Sequence, residues 1–201
     1  MSLSSFRQIQ LHPIMIPLIL YFIGTGQFAY YSILFSSLIF HEIGHLIAVK
    51  WTGLKVKKCI IMPYGGEIVI RDLRYAPKHQ QWVVAIAGPL ATALLYLVAQ
   101  FFNFPGQAFF NQVQLTILAI NCLPILPLDG GRALLALFPK WYEWLLITSI
   151  FFSLFAILIF AEIIPLVLLF VFIVYQNIKS WQYRRYDAAF HEIIRKRLTI
   201  E

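Results

Sequence analysis

Long apolar runs dominate the chain, and polar residues separate them at intervals close to the thickness of a bilayer. Six runs, at about 13–24, 28–50, 80–101, 111–126, 143–160 and 163–179, approach the roughly 20 apolar residues that a membrane-crossing helix needs. The first is short, and Gly24-Thr25-Gly26 turns it directly into the second. The last two share one stretch broken near Ala161-Glu162 and Pro165, so counting it once gives a five-span alternative. Segment 50–78 has a different period. Lys55 to Ile61 and Glu67 to Ile70 are strand-like and flank the turn signal Met62-Pro63-Tyr64-Gly65-Gly66. Gln8 to Leu11 alternates in the same way and can add a third strand. The expected fold class is an all-α polytopic membrane protein of six transmembrane helices, with a small membrane-associated β-hairpin or sheet. An ordinary charged loop is the competing reading of 50–78.

Composition supports a membrane setting. Of 201 residues, 60% are hydrophobic and 12% charged, too little polar surface for a soluble domain of this size. Charge placement then chooses between five spans and six. One Lys or Arg lies in the N-terminus, seven lie in 50–78, two in 132–140 and six in the tail from Lys179. Six spans put all of them on one side, which the positive-inside rule makes the cytoplasm, with both termini there. The net charge of +7 is therefore a topology signal, and no nucleic-acid partner is expected. The division expected is a membrane domain at 1–180 and a basic tail at 181–201. In that tail Phe190, Ile193, Ile194 and Leu198 share one helical face beside Arg195, Lys196 and Arg197, a pattern suited to the anionic inner leaflet. Only Arg7 precedes the first run and no small-residue cleavage site follows it, so no cleavable signal peptide is expected. Cys59 and Cys122 are too few and too far apart for a disulfide framework and read as reduced thiols.

The second run contains Phe40-His41-Glu42-Ile43-Gly44-His45-Leu46. Residues four apart share a helix face, so His41 and His45 can offer ring nitrogens to one metal ion. Glu42 stands beside them, where a carboxylate can take a proton from water activated by that metal. His41 lies nine residues before Lys50, about 14 Å deeper along a helix. Polar groups at that depth are destabilising by several kcal/mol unless coordinated or paired. A polar helix-packing cluster is the plain alternative. Catalytic zinc takes three protein ligands and keeps one position open. His12, His79 and His191 lie near the interface or in polar segments, and Glu162 is expected on the opposite side. Asp129 stands in Asn121-Cys122-Leu123-Pro124-Ile125-Leu126-Pro127-Leu128-Asp129-Gly130-Gly131-Arg132. Alone it would read as the start of a D-G turn or a helix cap; beside a two-histidine site it becomes the favoured third ligand. Pro124 and Pro127 interrupt the helix, and Gly130-Gly131 lets the chain turn sharply. Irregular backbone at membrane depth is tolerated only where it lines protein or a wet cavity, so Pro124, Pro127 and the 62–70 loop are candidates to line a polar path to the metal.

Phe40 to Leu46, Pro63-Tyr64-Gly65-Gly66, Ala87-Gly88-Pro89-Leu90 and Asn121 to Arg132 together resemble the site-2 protease family of intramembrane metalloproteases. Their order and spacing look most like its stage IV sporulation protein FB branch, which activates pro-sigma-K in the mother cell of endospore-forming bacteria. The resemblance covers about residues 8–190. It implies one zinc ion bound by His41, His45 and Asp129, with Glu42 as catalytic base. It also implies that Asn121 helps hold the active-site water or the developing oxyanion, and that Tyr64, Gly65, Gly66 and Glu67 match a membrane-dipping β-loop that meets substrate. The expected partners are the lipid bilayer, a membrane-associated protein substrate such as a pro-sigma factor, and inhibitory membrane proteins that clamp the cleft. The expected place is the mother-cell-derived membrane around the forespore. Members of that branch continue into a nucleotide-sensing CBS domain that is not seen here, so nucleotide regulation is not expected. A non-proteolytic zinc transporter or sensor is the alternative, disfavoured because the outer halves of the spans carry almost no polar residues for an exit route.

Overall fold

Helices that run through hydrocarbon satisfy every backbone polar group internally, and their outward side chains meet a solvent as apolar as leucine. The architecture follows that rule. A computed structural model of the chain describes residues 9–11, 15–62, 65–71, 73–162 and 167–183. The elements are β1 (Ile9–Leu11), α1 (Met15–Gly24), α2 (Phe28–Trp51), β2 (Lys55–Met62), β3 (Gly65–Arg71), α3 (Lys78–Ala99), α4 (Gln107–Cys122), α5 (Asp129–Leu137) and α6 (Tyr142–Ile159). Residues 167–183 form a further helix, α7. Among the described residues three helices are long and apolar enough to cross a membrane: Phe28–Trp51, Lys78–Ala99 and Pro139–Ile159, the last including a 3₁₀ turn ahead of α6. At 10 and 16 residues, α1 and α4 are shorter than a full crossing. The expected tail helix lies outside the described residues beyond 183.

The inward face of α2 carries Ser37, His41, Gly44, His45 and Ala48, while Phe40, Ile43, Ile47 and Trp51 point outward and are exposed. In α6 the inward residues include Ser149 and Ser153, against exposed Trp144, Phe151, Phe152 and Phe155. Polar or small inside and apolar outside is the reverse of a soluble helix. Small residues allow close helix contact: a Cβ on Gly44 would lie 2.5 Å from the Ala87 carbonyl oxygen and 2.6 Å from the Ala91 Cβ. α2 and α3 therefore meet almost backbone to backbone, with the histidines on α2 facing α3.

Segment 50–78 is a sheet and not a charged loop. The strand order is β1-β2-β3. β1 runs parallel to β2, with Ile9 opposite Cys59, and β2 and β3 form an antiparallel hairpin from Met62 opposite Gly65 to Lys55 opposite Arg71. An apolar cluster of Ala48, Val49 and Val84 with Leu54, Val56 and Ile70 seats the sheet on the ends of α2 and α3.

The expected fourth run, 111–126, is helical only as far as Cys122. α4 ends at Cys122, and residues 123–128 form an irregular bridge to the short helix α5. Pro127 cannot donate, and its peptide with Leu126 is cis. The Leu123, Ile125 and Leu128 N–H groups pair locally, and Leu126 finds its partners on other helices. The Leu126 N–H donates to Ser149 Oγ on α6 at 2.8 Å, and Asn177 Nδ2 on α7 donates to the Leu126 carbonyl at 2.5 Å. Apolar clusters around Leu126 with Leu145 and Leu146, and around Ile125 with Phe170 and Ile173, anchor the same bridge. Gly130 and Gly131, expected to provide a sharp turn, instead lie inside α5 with negative φ. They are glycine because a Cβ on Gly130 would meet the Cys122 carbonyl oxygen at 2.6 Å, and one on Gly131 the Ile125 carbonyl oxygen at 2.5 Å. The bridge folds back onto the first turn of α5, and that contact delivers Asp129 to α2.

Candidate metal centre

His41 and His45 are one helical turn apart on α2, and Asp129 is the first residue of α5. All three are buried. Asp129 Oδ2 lies 2.9 Å from His41 Nε2 and 3.1 Å from His45 Nε2, and the two Nε2 atoms are 3.2 Å apart. Among the described residues these three form the one histidine, cysteine and carboxylate group able to hold a metal. Leu128 holds the N-cap position of α5, and the Asp129 carboxylate faces the two histidines.

Hydrogen-bond chemistry shows what this triangle accommodates. His45 Nδ1 lies 2.7 Å from the Val84 carbonyl oxygen, which can only accept. Nδ1 therefore carries the proton, and Nε2 of the neutral ring presents a lone pair. The Asp129 carboxylate is also an acceptor. A proton on either Nε2 would satisfy one edge of the triangle, whereas a cation at its centre satisfies all three corners. Tetrahedral zinc with ligands at about 2.0–2.2 Å sets neighbouring donors about 3.3 Å apart, near the spacing here. Two imidazoles and one carboxylate with a fourth position open form a catalytic zinc donor set.

Gly88 on α3 forms the wall behind the triangle. A Cβ there would lie 2.6 Å from His41 Nε2 and closer still to His45 Nε2. The ring positions depend on a missing methyl group. Gly88→Ala is expected to push both rings off the centre and eliminate zinc retention, measured as metal content of the purified chain, while far-UV circular dichroism keeps its helical signal.

Glu42 follows His41 in sequence but is not a ligand. It is half-buried, within electrostatic range of His41, His45, Asp129 and Arg132, and no described residue hydrogen-bonds its carboxylate. Asn121 is not drawn into the triangle; its Nδ2 donates to the Ile117 carbonyl at 3.0 Å within α4. Pro124 is exposed, and Pro127 lines a cavity of about 120 Å³ with Leu126, Arg132, Gln176 and Asn177. Gly65, Gly66 and Glu67 open β3, paired with Met62, Ile61 and Ile60, while Tyr64 lies outside the described residues. Three contributors escaped the sequence reading. The Ala87 to Leu90 motif pointed near Gly88 without giving it a role; Val84 acts through its backbone, and Thr92 is a single threonine in an apolar helix. Nothing in the pattern of either residue marks it.

Residues 29–114 match peptidase family M50. The chain is 33% identical over 129 residues to a zinc metalloprotease of Methanocaldococcus jannaschii, covering 60% of this chain and 37% of that protein. It is 29% identical over 144 residues to stage IV sporulation protein FB of Bacillus subtilis, covering 69% of this chain and 50% of that protein. The chain thus spans half or less of the length of these relatives. The structure superposes on the site-2 protease from Methanocaldococcus jannaschii with a TM-score of 0.64 and 26% identity, over 85% of this chain and 89% of that one. The family match ends before Asp129, whose place at the centre rests on the geometry above. Residues 29–114, which bring His41, Glu42, His45 and Gly88 together, match the peptidase family M50 model, and the fold is similar to that of a site-2 protease.

Proposed function

We propose that this chain is an intramembrane zinc metalloendopeptidase that cleaves a membrane-associated protein near the cytoplasmic face. The observation that carries the reading is the convergence of three buried side-chain atoms, 2.9–3.2 Å apart, beside a carboxylate that no described residue hydrogen-bonds. When bound there, zinc supplies Lewis acidity, polarising an amide carbonyl and acidifying water. His41, His45 and Asp129 hold the ion and leave its fourth position to the reactants. Glu42 accepts the proton of the attacking water and returns it to the leaving amine. Asn121 has a second amide N–H besides the one on Ile117, and it donates to the developing oxyanion. The substrate enters extended, since a helix keeps its carbonyls in internal bonds. Tyr64, Gly65, Gly66 and Glu67 meet it along the sheet, and the irregular bridge around Pro124 and Pro127 lets water in.

The topology in this reading is six spans, with α1, α4 and α7 completing the three long helices and both termini cytoplasmic. It is supported by the placement of every Lys and Arg on one side of such a path. Residues 1–180 are the protease unit, and 181–201 form a basic tail on the inner leaflet. Similarity to stage IV sporulation protein FB supports a pro-sigma factor as substrate, the membrane around the forespore as location, and membrane proteins as inhibitors of the cleft. The test is co-expression of the chain with tagged pro-sigma-K, read by immunoblot. A shortened product supports both the protease and its substrate class. Intact pro-sigma-K beside a zinc-loaded chain would sink that substrate assignment.

A further inference from the structure

Both histidines are anchored at the ring nitrogen remote from the triangle, and both anchors lie on α3. His45 Nδ1 bonds the Val84 carbonyl at 2.7 Å, and His41 Nδ1 bonds Thr92 Oγ1 at 2.8 Å. Val84 and Thr92 are eight residues apart, about 12 Å along a helix, whereas His41 and His45 are about 6 Å apart. The rings therefore splay at Nδ1 and converge at Nε2 over Gly88, the midpoint of the two anchors. Their planes cross at 76° with centroids 5.0 Å apart.

The two anchors differ in kind. The Val84 carbonyl can only accept, so it permits one tautomer of His45. A hydroxyl can donate or accept, so the bond from His41 to Thr92 is compatible with either tautomer of His41. If Thr92 donated, His41 would carry its proton on Nε2 and give it to Asp129, 2.9 Å away. That arrangement closes the triangle against a metal. A second contact decides between them. Thr92 Oγ1 lies 3.2 Å from the Gly88 carbonyl oxygen, one turn back on α3, and donates to it. The hydroxyl has one proton, and with that proton on Gly88 it can only accept from His41. Thr92 is fully buried, at 1% exposure, and no other described residue hydrogen-bonds His41 Nδ1.

We infer that Thr92 is a positioning residue: its hydroxyl, polarised by the Gly88 carbonyl, holds His41 in the tautomer that presents a bare Nε2 to zinc. Hydrogen-bond donation runs in one direction along the chain, from His41 Nδ1–H to Thr92 Oγ1 and from Thr92 O–H to the Gly88 oxygen. Gly88 thus serves the centre twice, by the methyl group it lacks and by the carbonyl that accepts Thr92's hydrogen bond. The inference rests on the zinc centre proposed above and is independent of whether the chain cuts peptides.

The test is zinc affinity of the full chain in detergent micelles, measured by competition with a chromophoric chelator, for native, Thr92→Val and Thr92→Ser. Valine matches threonine in shape and removes the oxygen; serine keeps the oxygen and removes the methyl. Loss of a partner that orients a metal-bound histidine lowers affinity about 10–100-fold, and that loss is expected for Thr92→Val, with Thr92→Ser close to native. A packing role predicts the opposite order, because serine is the variant that leaves a void. In the metal-free protein, ¹⁵N resonances of the His41 ring should report the Nδ1–H form for native and serine and a shift toward Nε2–H for valine. Native affinity in Thr92→Val, or equal losses in both variants, would overturn the assignment. If zinc binding depends on Thr92 in this way but no substrate is cut, the protease reading fails and the Thr92 assignment stands. A native chain that takes up no zinc removes both.

Discussion

Glu42→Gln is expected to abolish peptide cleavage while the chain still retains zinc. The substitution keeps the shape and polarity of the side chain and removes its ability to take a proton. Glu42 is not one of the three converging atoms, so the ligand triangle of His41, His45 and Asp129 is untouched. Proton transfer by a positioned group contributes on the order of 10²–10⁴ to rate, and the leaving amine also depends on the same carboxylate for its proton. The two readouts are cleavage of a tagged substrate by immunoblot and metal content by atomic absorption on the same preparation. Wild-type turnover in the variant would remove Glu42 as the base. Simultaneous loss of zinc would show that its carboxylate supports the centre and does not only serve the reaction.

Asp129→Ala should empty the centre. Its Oδ2 is the corner that meets both Nε2 atoms, at 2.9 and 3.1 Å, and it is the anionic member of the set. Zinc sites release about 10–16 kcal/mol on binding. Shared over three or four donors, one ligand contributes about 3–4 kcal/mol, or on the order of 10²–10³ in affinity. The helix start should survive, because the bridge before it is held by Ser149 and Asn177. Chelator competition for zinc, with size-exclusion chromatography as the folding control, separates the outcomes. Full metal occupancy in a well-folded variant would remove Asp129 from the site. The same experiment distinguishes this aspartate from a structural helix-start residue, whose loss would lower stability and leave zinc in place.

Much of this centre could be read from local spacing. The period of a helix places His41 and His45 on one face whatever surrounds them, and a membrane setting makes two imidazoles and a carboxylate costly without a metal. The hairpin was also legible, because Lys55 to Ile61 and Glu67 to Ile70 flank a Pro-Tyr-Gly-Gly turn signal. Local signals mark where a chain can turn, but they do not give the reason for each residue. Gly130 and Gly131 read as a sharp turn, yet they lie inside α5 and serve close packing against residues 122–126. The fourth run read as one broken helix, whereas α4 and α5 are separate elements joined by a bridge whose partners sit on α6 and α7, 23 and 51 residues away from Leu126 in sequence.

The sequence by itself determined the membrane class, the strand-like interlude and the histidine pair proposed to bind metal, because each depends on periods of two or 3.6 residues and on the cost of burying polar groups in hydrocarbon. Only the tertiary structure decided how Asp129 reaches the histidines and which nitrogen of each ring faces it. Asp129 joins His41 across 88 positions of sequence, and Thr92 joins it across 51. Such contacts exist because α2 and α3 approach closely at Gly44 and Gly88, and because α6 and α7 bind the backbone of the bridge. No local pattern encodes them: a threonine in an apolar helix looks the same whether it back-bonds to its own helix alone or also holds the proton that sets a metal ligand.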